Sequence, residues 1–181
     1  MMIISAVLIT TAIVLVISVK TLTGIYKENL YHNLKHVNQL SKMYIDGDLV
    51  NKIRSREDFM NPQYLKLKNQ LHSMFNENSD EWNEDYYGGL YTLKNENIYV
   101  LMFFDDSVGV NFPYRDNYSE TPFRDVIDKG EIVGVEEHDV YGSWIYSLGP
   151  VYDSKGEIVA ILEVGKDLNA FEVKIKNFIM N

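Results

Sequence analysis

The segment NFPYRDNYSETPF, residues 111 to 123, gathers Phe112, Tyr114, Arg115, Tyr118 and Phe123 into a stretch that reads as a connection between strands. So aromatic a connection is not expected to be wholly solvated, and ring walls around one fork-shaped cation suit a small carboxylate ligand. The competing arrangement is a lid packed on its own sheet, with Arg115 paired to a local acid such as Asp116. Farther along, Trp144, Tyr146 and Leu148 alternate onto one strand face while Ser143, Ile145 and Ser147 take the other. A lid over the aromatic face puts Tyr114, Tyr118, Trp144 and Tyr146 in the walls of a cavity, with Arg115 holding an anionic group. A small organic acid or a zwitterion is the ligand this composition suggests.

Other clusters carry less chemistry. His32 and His36 share a helical face, the spacing that lets two imidazoles bridge a metal, but no carboxylate or third histidine is near them in sequence. No metal is therefore expected there. Glu136, Glu137, His138 and Asp139, and the pair Asp105 and Asp106, lack the ordered oxygens and glycine turn of a calcium loop and read as solvated loops. No GxSxG elbow, phosphate-cradling GxxxxGK loop or dinucleotide GxGxxG is present, so an enzyme is not expected and no cofactor is implied. The absence of cysteine removes thiolate zinc sites, disulfides and cysteine nucleophiles. With 17 basic against 26 acidic side chains, the chain also lacks the basic face that nucleic acid requires.

The elements that must position these residues begin with a membrane anchor. Met1 to Val19 carries no charge and is interrupted only by Ser5, Thr10, Thr11 and Ser18, enough helix to cross a hydrocarbon core of roughly 30 Å. It lacks the basic leader and small-x-small site of a cleaved signal. Leu30, Leu34, Val37, Leu40 and Tyr44 continue a helical stripe to Asp46-Gly47, where a left-handed glycine is expected to end it and Asp48 to cap a short helix. That stripe would serve a parallel homodimer or the chain's own sheet. Asn61-Pro62 starts a helix facing inward through Tyr64, Leu67, Leu71, Met74 and Phe75. Strands are expected at 90–93, 98–104, 132–135, 143–152 and 158–164, with a short helix from Thr121-Pro122 to Gly130 and a helical tail from Leu168. The sum is an α+β chain: a transmembrane helix at 1–22, a long helix on a five-stranded antiparallel sheet within 23–170, and 171–181 leading toward a second membrane segment.

The last hairpin, GSWIYSLGPVYDSKGEIVAILEVGKDL at 142–168, resembles the closing motif of bacterial Cache domains, the extracytoplasmic PAS-like sensors of chemoreceptors, sensor kinases and nucleotide cyclases. YIDGDLVNKIRSREDFMNPQYLKLKNQL at 44–71 is similar to the helical approach of single-Cache members. The resemblance implies a ligand-sensing domain outside the membrane, although Lys20 and Lys27 after the anchor would by charge alone favour the opposite orientation. It also implies where a ligand amine would bind. Many members use the first aspartate of a V-D-I-D-L pattern, which here is Gly165, while Asp167 matches the second. The R-x-W-Y carboxylate motif is absent. Strand alternation puts Glu163 on the face of Gly165, where a buried Glu163 would replace the missing charge. The alternatives are a ligandless dimerisation or spacer module, or an anchored hydrolase using Glu136 or Glu137.

Overall fold

A computed structural model describes residues 2–76, 86–140 and 142–169, together with Val173 and Ile175. The acidic stretch 77–85 and most of the expected tail helix, with Phe171, Phe178 and Ile179, lie outside them, as does the Phe75 side chain.

The anchor and the long helix are one element. Helix α1 runs from Met2 to Tyr44 over 43 residues without a break, about 65 Å at 1.5 Å per residue. Its first half exposes Ile9, Ile13, Val14, Val16 and Ile17, a surface suited to lipid. Leu30, Leu34 and Val37 are instead buried against the sheet, which removes them from the expected dimer seam. The helix ends as read, but for a different reason. Asp46, not Asp48, caps α2 (Gly47–Val50) by accepting from the Leu49 amide. Gly47 is not left-handed; a Cβ there would sit 2.2 Å from the Tyr152 carbonyl oxygen. Asp48 turns instead to the Ser154 amide and hydroxyl. Helix α3 (Pro62–Asn76) is capped by Asn61 through the Tyr64 amide and buries Tyr64, Leu67, Leu71 and Met74.

Six strands follow rather than five: β1 (Tyr86–Lys94), β2 (Asn97–Phe103), β3 (Phe112–Arg115), β4 (Val133–His138), β5 (Ser143–Tyr152) and β6 (Ile158–Asp167). They form one antiparallel sheet in the order β3-β2-β1-β6-β5-β4. The added strand, β3, lies in the segment expected as a connection. It pairs with β2 at the sheet edge, where Pro113 needs no donor. Asn95 and Glu96, both at positive φ, make the tight turn between β1 and β2. Helix α4 (Phe123–Lys129) ends at a left-handed Gly130, as the sequence indicates.

The sheet separates two apolar layers. On one face α1, α2 and α3 cover Leu90, Ile145, Val151, Ala160, Leu162 and Val164. On the other, Phe123 and Val126 of α4 pack with Tyr91, Tyr146, Leu148 and Ile161. Strands β5 and β6 therefore present alternate residues to α1 and to the opposite face.

Candidate functional site

The face away from α1 holds a cleft of about 450 Å³, within the range of small-molecule sites. Its floor comes from pairing register. Tyr87 of β1, Gly165 of β6 and Tyr146 of β5 lie in one cross-strand row, and Gly89, Glu163 and Leu148 in the next. Gly165 leaves room for the Tyr87 ring, whose Cζ would be 2.3 Å from a Cβ there. Glu163, in the second row between Gly89 and Leu148, is only 3 % exposed.

Five of the six residues singled out by sequence come together here: Tyr114, Arg115, Trp144, Tyr146 and Glu163. Tyr118 does not. Its hydroxyl donates to Asp128 of α4 at 3.1 Å, away from the cleft. The lid picture changes with it: Phe123 is buried in the core beneath Tyr91 and Tyr114, and Phe112 is 53 % exposed on the edge strand. Tyr114 and Arg115 reach the cleft from β3.

Arg115 has a partner, but not Asp116. Its Nη2 donates to both carboxylate oxygens of Glu137 at 2.7 and 3.0 Å, and the Tyr146 hydroxyl donates to the same carboxylate at 2.7 Å. Glu136–His138 is thus part of β4 rather than a solvated loop. Adjacent residues on a strand face oppositely, so Glu137 enters the cleft while Glu136 pairs with Lys27 of α1. Asp106 is likewise structural, accepting from the Tyr64 hydroxyl at 2.9 Å and pairing with Lys68. His32 lies 3.9 Å from the Glu28 carboxylate, and no group of three or more potential metal ligands forms among the described residues.

Burial pushes the Glu163 carboxyl up to about 7, against hydrogen bonds from Tyr91 and Tyr87 that favour its ionised form; the Glu137 charge raises it further, and Arg115 lowers it. Burial likewise raises the Tyr91 phenol well above its ordinary range and Tyr114 to about 12, the Glu163 charge adding to both. The phenols are therefore neutral donors at physiological pH. Glu163 Oε2 has no hydrogen-bond partner among the described residues. Rings enclose the site: Tyr87 meets Trp144 edge-on at 5.6 Å, and the Tyr91 and Tyr114 ring centroids are 4.6 Å apart. Trp144 is steered by its indole N–H, which donates to Asp139 at 3.1 Å.

Tyr87, Tyr91 and Glu137 were not among the ligand residues expected from sequence. Tyr87 and Tyr91 lie four residues apart on β1 and line the cleft together. Carrying the third expected strand two residues past Val135 would have placed Glu137 beside Trp144, its register partner.

No family model and no curated protein matches the chain. Solved structures do resemble it. The periplasmic sensory domain of the Campylobacter jejuni chemoreceptor Tlp1 aligns over 83 % of this chain at 14 % identity, with a TM-score of 0.45. The ligand-binding domain of chemoreceptor Tlp3 from the same organism, in complex with 4-methylisoleucine, aligns over 86 % at 13 % identity and a TM-score of 0.44. The periplasmic domain of RsbU from Chlamydia trachomatis aligns over 87 % at 13 % identity and a TM-score of 0.42. The alignments cover 58 %, 57 % and 52 % of those chains, so this chain spans little more than half their length.

Proposed function

We propose that the chain is a membrane-anchored, extracytoplasmic sensor domain of single-Cache type that binds a small molecule in the cleft and passes occupancy to α1. The observation that carries this reading is the division of β5 and β6 between cleft and helix. Tyr146 and Glu163 face the cleft, while their strand neighbours Ser147, Leu162 and Val164 face α1. The Ser147 hydroxyl donates to the Leu34 carbonyl at 2.9 Å, and the Asn38 amide donates to the Ser147 carbonyl at 2.9 Å. A ligand that shifts these strands shifts the surface on which the helix rests. It biases the helix only by its differential affinity for two arrangements, commonly worth about 1–3 kcal/mol.

Opposite facing of Glu136 and Glu137 weighs against their serving as an acid–base pair, and Glu137 is already held by Arg115 and Tyr146. Binding is the function this geometry favours. It is tested by melting the full chain in detergent micelles with choline, n-butylamine, butyrate and L-isoleucine. A bound probe at about 100 times its dissociation constant adds roughly 2.7 kcal/mol of stability. The expected result is a shift with at least one probe, reduced by Gly165→Ala. No shift with any probe, or ester hydrolysis that depends on Glu137, overturns the reading.

A further inference from the structure

The charge and ring content of the cleft decide which chemistry it selects, an argument that rests on the ligand-binding reading above. Four carboxylates, those of Asp105, Glu137, Asp139 and Glu163, and one guanidinium line it. That guanidinium is already engaged, since Arg115 Nη2 holds both oxygens of Glu137. An anionic ligand would have to compete with Glu137 for Arg115 and approach three further acids. Glu163 stands differently. It lies deep in the cleft, nine-tenths or more buried, and its Oε2 has no partner among the described residues. Seven of the fourteen lining residues are aromatic, and they present ring surface to the space beside it. Ring faces carry negative potential and attract a cation most strongly where water is excluded. A carboxylate at the end of such a cage supplies the counter-charge that a buried cation needs.

We infer that the cleft selects a small organic cation, with its ammonium head enclosed by Tyr87, Tyr91, Tyr114, Trp144 and Tyr146 and with Glu163 as counter-ion. The arrangement reverses the expectation of an organic acid held by Arg115. Arg115 acts at the rim, where it neutralises Glu137 and stacks over the Tyr114 ring with its Cζ 5.1 Å from the ring centroid. With Glu137 neutralised, Glu163 is left as the deeply buried carboxylate that faces the cation.

Calorimetric titration of the full chain in lipid nanodiscs tests this with choline and n-butylamine, the neutral choline isostere 3,3-dimethylbutan-1-ol, butyrate and L-isoleucine. The expected result is at least one ammonium probe binding about tenfold or more tighter than the neutral isostere, and losing about tenfold or more in Glu163→Gln. Trp144→Phe, which keeps a ring, is expected to retain most of that affinity while Trp144→Leu does not. Equal affinity for cation and neutral isostere, or an unchanged constant in a Glu163→Gln protein that melts no lower than the parent, overturns the inference. Binding of butyrate or isoleucine in place of the ammonium probes overturns it too, while leaving the ligand-binding reading intact. Failure of every probe overturns both.

Discussion

Glu163→Gln replaces a buried carboxyl whose ionisation opposes the fold. An unfolded chain releases the Glu163 proton near 4.5, whereas the folded protein holds it until about 7. Between those values the folded state binds more protons, so this residue's contribution to stability falls as pH rises, and the loss is complete above about 7. At about 1.36 kcal/mol per pH unit, the gap between 4.5 and 7 amounts to about 3 kcal/mol. Because Glu163 is fully buried, solvent screening takes little from this figure. Glutamine keeps the shape and cannot ionise. The variant should match the parent near pH 4.5 and exceed it by up to about 3 kcal/mol at pH 8, or about 6–12 °C in melting temperature for a chain of this size. Melting both proteins in micelles from pH 4.5 to 8, in buffers free of ammonium ions, reads the difference directly. Titrations common to both proteins cancel. Parallel curves across this range would refute the reasoning, since they would mean that Glu163 is ionised at no cost in the fold.

Other substitutions separate the roles of Arg115, Ser147, Gly165 and Tyr118. Arg115→Gln releases Glu137 and should leave choline affinity unchanged or tighter, because the cleft becomes more negative; titration calorimetry showing a large loss would return Arg115 to the role of ligand holder. Ser147→Ala deletes the hydroxyl that bonds the Leu34 carbonyl and should cost about 1 kcal/mol by denaturant unfolding, with little change in ligand affinity. Gly165→Ala places a Cβ 2.3 Å from the Tyr87 ring, which must swing into the cleft, so probe affinity should fall roughly tenfold by the same calorimetry. Tyr118→Phe should bind as the parent does, since that hydroxyl serves Asp128.

Long periodic features were legible in the sequence because one residue class repeats along them. The apolar run at the start of α1, the stripe Leu30-Leu34-Val37 and the alternation Trp144-Tyr146-Leu148 all fall as their spacing indicates. Alternation also placed Glu163 on the face of Gly165, where the cleft is. Short edge elements were not legible. β3 is four residues with a proline inside, and only pairing with β2 makes it a strand. The end of β4 failed for a related reason: Glu136, Glu137 and His138 are polar enough to read as loop, yet each has a partner supplied from distant sequence or across the hairpin, Lys27, Arg115 and Ser143 respectively. Such tertiary pairings carry no local signal. The partner of Arg115 was missed in the same way, since it lies 22 residues away rather than beside it.

The central claim is that occupancy of the cleft moves the helix that enters the membrane. The chain has no cysteine, so Gln39→Cys and Lys155→Cys, both at exposed positions, give one spin-label pair between α1 and the β5–β6 turn without background labelling. Pulsed electron–electron resonance on the full chain in nanodiscs, with and without saturating choline, measures their separation. The account predicts a shift of about 1–2 Å, the usual scale of helix displacements in switching proteins, that disappears in the Glu163→Gln background. A distance distribution that saturating choline leaves unchanged would contradict it.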